Sequence, residues 1–134
     1  MDKPAADLLF LAKRYPDWDM TSIAQQVEGK QKAKYKIPTW FKKEGILYPI
    51  GLSMEQCSSE FTAKYKKKLC KGEKFIDLTG GFGVDSYFIS KSFKQSIYCE
   101  LNSDLQKITE HNFSILKTNI KSLNNDGLKY LKKT

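Results

Sequence analysis

Three glycines in four residues, Gly80, Gly81 and Gly83, follow the strand-like run KFIDL in the stretch KFIDLTGGFGVDSYFISKSFKQSIYCE, with Asp77 just ahead of them and Glu100 at the far end. Glycines between a strand and a helix let the backbone take positive φ without strain and approach a ligand closely. At the carboxyl end of a parallel strand, the following helix adds unpaired amides and the positive end of its dipole. A bare turn from strand to helix would use the same residues, so the glycines alone leave both explanations open.

The two carboxylates narrow the chemistry. Glu100 lies 19 residues beyond Gly81, close to the offset of about 20 at which an acidic residue takes up ribose hydroxyls. That spacing points to a nucleoside-bearing cofactor held by Asp77, Thr79, Gly80, Gly81, Gly83 and Glu100. A negative charge at Asp77 is awkward for a pyrophosphate and suits a ligand with an ammonium group. Dinucleotide loops want a third glycine where the register GFGVDS has Ser86, which ranks NAD second. No GKS or GKT follows the glycines, which disfavours a nucleoside-triphosphate loop.

The elements that position these residues read as an α/β arrangement. KFIDL and SIYCE have the texture of short buried strands and VDSYFISK that of the helix between them. Beyond Glu100, LNSDLQKITEHNFSILKT reads as a helix capped by Asn102, with Leu105, Ile108, Ile115 and Leu116 near one face. A third strand from Ile120 to Leu123 and a helix DGLKYLKK follow. Residues 73–134 are therefore expected to form the first half of a Rossmann-like parallel sheet.

Residues 1–72 read as a helical region. Ala5, Leu8, Leu9 and Ala12 predict a helix from Lys3 to Arg14, and Ile23 and Val27 face inward on a second from about Thr21 to Lys34. Asp19 or Thr21 can cap that second helix, and Gly29 weakens it. Pro38 and Pro49 bracket a connector of turns and one extended piece. SMEQ at Ser53 matches a capping box, and Ser58 or Ser59 can start a further helix on which Phe61 and Tyr65 share a face.

The chain of 134 residues fits one domain, and its 40% hydrophobic and 13% aromatic content argues against a disordered or fibrous protein. A net charge of +8 favours polyanionic partners, nucleic acid first, although lysines also serve solubility. Two lysine clusters carry that charge: Lys30 to Lys43 around Tyr35, Trp40 and Phe41, and Lys64 to Lys68. The aromatics of the first are expected to pack inward. Cys57, Cys70 and Cys99 lack the spacing of a disulfide framework or zinc knuckle, which suggests reduced thiols in a cytoplasm and no metal. AADLLFLA is too short to span a bilayer and lacks a cleavage pattern, so a soluble protein without a membrane partner is expected. His111, the single histidine, has no catalytic companion and is expected to be structural or exposed.

FIDLTGGFGVDS resembles the first motif of class I S-adenosylmethionine-dependent methyltransferases, D-x-x-x-G-x-G, which Asp77, Gly81 and Gly83 match. The resemblance implies S-adenosyl-L-methionine as cofactor, its methionine part held by the loop and its ribose by Glu100. It also implies an acidic residue after the third strand for the adenine amino group, where NND offers Asp126; capping of the last helix is the other use for Asp126. Most of residues 25–126 is similar to a group of bacterial proteins described as methyltransferases, whose longer members carry a THUMP-like domain. The first motif also resembles that of RNA cap guanine-N2 methyltransferases, which implies an RNA or nucleobase-type substrate. Such enzymes place Asp-Pro or Asn-Pro after a fourth strand. Here all four prolines precede the glycines and none follows Asp or Asn, so no catalytic residue is assigned. A truncated, inactive N-terminal part with an uncovered sheet edge open to self-association is expected. The alternatives are a nucleic-acid-binding module with a vestigial loop and part of an NAD-dependent oxidoreductase.

Overall fold

The computed structural model describes residues 13–17 and 19–133, so the helix predicted over residues 3–14 lies outside the described residues except for its last two. Helices α1 (Met20–Lys36), α2 (Pro38–Phe41), α3 (Gly51–Gln56) and α4 (Glu60–Leu69) precede the sheet. Then come β1 (Gly72–Asp77), α5 (Val84–Ile89) with a 3-10 turn at Ser90–Ser92, β2 (Phe93–Cys99), α6 (Ser103–Ile115), β3 (Lys121–Leu123) and α7 (Gly127–Lys133). The strands pair in the order β1-β2-β3, both pairs parallel, with Asp77 opposite Tyr98 and Cys99 opposite Leu123. This is the β-α-β-α-β-α path expected for residues 73–134, and among the described residues neither outer edge of the sheet has a further partner.

Local chemistry sets most helix starts. Asp19 accepts from the Ser22 amide at 2.7 Å, Ser59 from Thr62 at 3.1 Å and Asn102 from Leu105 at 3.0 Å, each satisfying an amide that the first turn leaves unpaired. Ser53 does not cap: α3 opens earlier, at Gly51, with Ile50 as N-cap and the Met54 amide on the Ile50 carbonyl at 3.2 Å. The extended backbone at Ile50 after Pro49 starts the helix before Ser53 is reached. Gly29 sits inside α1, where a Cβ would collide with that of Tyr48, so the glycine admits close packing and does not end the helix. At α2 the cap comes from another helix. Glu60 accepts from the Thr39 amide and hydroxyl, each at 2.8 Å, and pairs with Lys64 at 3.0 Å. Burial opposes its charge, but these partners hold the carboxyl below its ordinary range.

The connector between Pro38 and Pro49 is strapped down by side chains. Gln26 on α1 receives the Tyr48 amide at 2.7 Å and donates to its carbonyl at 2.8 Å. Asn112 on α6 does the same for Leu47, at 2.8 Å each way, and a ring nitrogen of His111 meets the Gly45 carbonyl at 2.8 Å. Side-chain amides thereby replace the strand that an extended segment otherwise needs. Asn112→Ala leaves both polar groups of Leu47 unpaired, and an unsatisfied buried group costs about 1–3 kcal/mol. The variant should lose roughly 2–4 kcal/mol of stability, read as a lower denaturant midpoint at unchanged slope.

These straps explain a difference in α6. Its buried stripe is Gln106, Thr109, Asn112 and Phe113, while Leu105, Ile108, Ile115 and Leu116 are only partly covered. Three of the four buried residues are polar and hydrogen-bonded, so hydrophobic spacing aims the helix off its buried face. The core proper joins both halves of the chain: Ala33, Ile37, Trp40, Tyr48 and Met54 form one cluster with Phe82, Val84 and Phe88. The Trp40 ring meets Phe82 and Tyr87 edge-on, with centroids 5.1 and 5.6 Å apart.

Candidate functional site

The glycine loop is held from three sides. Gly80 donates to the Cys99 carbonyl at 2.8 Å, and a Cβ on Gly80 would run into the Tyr98 ring. Gly81 has φ +57° and open space where a side chain would stand. Its carbonyl accepts from the Tyr98 hydroxyl and, at 3.1 Å, from Thr109 on α6. Gly83, with φ +86°, is the N-cap of α5 and lies against Thr109 and Phe113. The loop is thus pinned through one carbonyl and left open above Gly81, where a ligand can approach its backbone.

Above the loop is a crevice of about 420 Å³, within the range of small-molecule sites. Of the residues singled out in the sequence, Thr79, Gly80, Gly81, Gly83 and Glu100 line it. The Glu100 carboxylate accepts from the Gly81 amide and from the Asn102 amide, both at 2.9 Å. A carboxylate offers about four acceptor positions, so two remain for a ligand.

Asp77 and Asp126 are placed elsewhere. One Asp77 oxygen accepts from the Ser86 hydroxyl at 2.7 Å and the other from the Thr79 amide at 3.2 Å, so the carboxylate braces the loop beside the crevice wall. Asp126 accepts from the Leu128 and Lys129 amides at 2.9 and 3.3 Å, which makes it the cap of α7; it does not line the crevice.

A different acidic residue faces the ligand space. Asp85, on the first turn of α5, lines the crevice with Ser53, Gln56, Cys57 and Ser58 of the helical region. Its Oδ2 accepts from Ser58 and Lys66, each at 3.0 Å, while its Oδ1 is buried without a partner among the described residues. A buried carboxylate oxygen without a donor is costly unless a cation or donor reaches it. The D-x-x-x-G-x-G pattern does not include Asp85, and Tyr98 and Thr109 sit on elements read from sequence only as strand and helix. No local signal marks them, because each acts through a contact made by folding.

Burial pushes the Asp77 carboxyl above its ordinary range, and the negative Asp85 and Glu100 add to that push against the Ser86 and Thr79 hydrogen bonds. A carboxyl whose folded pKa is raised binds its proton more tightly when folded, so stability falls as pH rises from the unfolded to the folded value. In Asp77→Asn the amide oxygen can still accept from Thr79, and the rotatable Ser86 hydroxyl can accept from the new NH₂. That variant should lose the falling component of the wild-type stability profile above the ordinary carboxylate range, measured as melting temperature against pH.

The lysine clusters differ. In the first, Lys36 donates to the Met54 and Glu55 carbonyls at 2.7 and 2.9 Å and Lys32 lies 3.3 Å from Glu28; of its aromatics Trp40 is fully buried and Phe41 partly, whereas Tyr35 does not pack inward and is 81% exposed. In the second, only Lys64 and Lys66 have ion-pair partners among the described residues. Among the described residues no helix is long and apolar enough to cross a membrane, and no group of three His, Cys, Asp or Glu is placed to hold a metal.

No family model matches the chain, and no curated protein does. Among solved structures it is similar to the crystal structure of a "putative methyltransferase" from Porphyromonas gingivalis W83, at 29% identity and a TM-score of 0.79. The match covers 98% of this chain and 34% of that one, so the chain spans about a third of that protein's length. The mixed α/β arrangement with its small parallel sheet agrees with a methyltransferase-like fold.

Proposed function

We propose that the crevice binds S-adenosyl-L-methionine and that the protein serves methyl transfer to RNA. The observation that carries this reading is the convergence on one crevice of an open Gly81 backbone, a Glu100 carboxylate with acceptor positions to spare, and Asp85 on the first turn of α5. These residues fit the cofactor. Glu100 would receive the ribose hydroxyls, Leu105 would offer an apolar wall to the adenine, and Asp85 would meet the ammonium group that the sequence assigned to Asp77. The loop amides not used within the fold would receive the carboxylate. Asp126, occupied in capping α7, is left out of the proposed site.

Bound there, S-adenosylmethionine supplies an electrophilic methyl on a positively charged sulfonium. The chain's own contribution is placement. Tyr98 and Thr109 hold the Gly81 carbonyl, Asp77 braces the loop from beside it, and Ser58 and Lys66 fix the Asp85 carboxylate, so little ordering remains to be done on binding. RNA as acceptor is supported by the net charge of +8. Calorimetry with S-adenosylhomocysteine, NAD and a short RNA separates the alternatives. The reading expects heat with the first and none with the second; NAD binding without S-adenosylhomocysteine binding would replace it with an oxidoreductase, and RNA binding alone with a nucleic-acid module.

A further inference from the structure

A second concavity, of about 510 Å³, is lined by Lys64, Lys67, Lys68, Lys71 and Lys91 around Phe88. No carboxylate lines it. Lys67, Lys68 and Lys71 carry no ion pair among the described residues. Lys91 lies over the Tyr87 and Phe88 rings, at 4.4 and 5.4 Å from their centroids, which fixes its stem and leaves its ammonium hydrogens available. Lys64 is paired with Glu60 at 3.0 Å; the other four like charges around the hollow repel one another, so the arrangement is relieved when a polyanion enters.

A second observation names the polyanion. The same helix exposes Phe61 by 84% and Tyr65 by 59%, one turn apart and beside the lysines. Large aromatics so exposed gain nothing from the fold. A cationic groove flanked by exposed rings is the arrangement that holds single-stranded nucleic acid, the groove following the phosphates and the rings stacking bases. A bilayer is too flat to fill a concavity, and a folded acidic protein has no particular use for stacked rings.

We propose that this groove binds the phosphodiester backbone of single-stranded RNA, with bases stacked on Phe61 and Tyr65. Asp85 of the crevice and Phe88 of the groove lie three residues apart on α5, a rise of about 4.5 Å. The groove and the crevice thus share α5 as a common wall. The proposal deepens the RNA part of the function proposed above. Because binding is measured without cofactor, its failure and a failure of S-adenosylhomocysteine binding are separate results.

The test is fluorescence anisotropy of a labelled oligouridylate across a salt series, with the wild type and variants of the whole chain checked for unchanged melting. For single strands, log K falls against log salt by about 0.7 for each phosphate contacted. The triple variant Lys67→Ala, Lys68→Ala, Lys71→Ala should make that slope shallower by about 2. Phe61→Ala and Tyr65→Ala should each weaken binding roughly five- to 150-fold while leaving the slope unchanged. An equal loss of slope in a control triple on α7, Lys129→Ala, Lys132→Ala, Lys133→Ala, would overturn the proposal by showing diffuse attraction. So would absence of oligonucleotide binding, with phosphatidylserine vesicles captured instead.

Discussion

Glu100→Ala is expected to weaken S-adenosylhomocysteine binding roughly 100- to 10,000-fold in calorimetry. Hydrogen bonds to a charged group contribute about 1.5–3 kcal/mol each. Two ribose hydroxyls would use the two acceptor positions left after Gly81 and Asn102 take theirs at 2.9 Å. The substitution also frees the Gly81 amide, so loop collapse has to be separated from loss of ligand contacts. The Gly81 carbonyl remains pinned by Tyr98 and Thr109, which should keep the loop in place and the melting temperature within a few degrees of wild type. Unchanged affinity in a folded Glu100→Ala protein would remove the ribose assignment and with it the cofactor reading.

The largest effect on stability is expected from Trp40→Ala, at about 3–5 kcal/mol, a melting temperature lowered by roughly 10–20 °C. Trp40 is fully buried and bridges the two halves of the chain, touching Phe82 of the glycine loop and Tyr87 of α5. Its indole nitrogen is buried without a partner among the described residues, so packing alone accounts for its contribution. Trp40→Phe keeps most of the ring contact and removes the unpaired donor, and should cost far less. If the alanine variant melts close to wild type, the helical region is not what supports the loop, and the two halves of the chain do not depend on a shared core.

Much of the site was legible in the order of residues. Aspartate, glycines and Glu100 at their spacing pointed to a nucleoside-type loop, and five of the seven residues put forward for the site line the crevice. Asp77 and Asp126 show why the other two do not. An acidic residue at a strand end or before a helix is equally able to brace a loop or cap a helix, and which it does depends on donors supplied by folding, Ser86 and the Leu128 amide here. Nothing in the order of residues marks Asp85, because its unpaired oxygen arises only when Ser58, in the loop before α4, and Lys66, on α4, take the other one.

By itself the sequence determined the alternation of strand and helix, the cap at Asn102, the choice of Asp19 or Thr21 and of Ser58 or Ser59 for two others, and the glycine turn, because periodicity, capping and φ preference act over a few neighbouring residues. The tertiary structure decided the rest: the polar face that α6 buries, the straps on Leu47 and Tyr48, and the helical region's share of the crevice. Those outcomes depend on hydrogen bonds between residues as far apart as 65 positions, as for Asn112 and Leu47. Whether a polar side chain faces water or the interior is settled by the partner that folding brings to it.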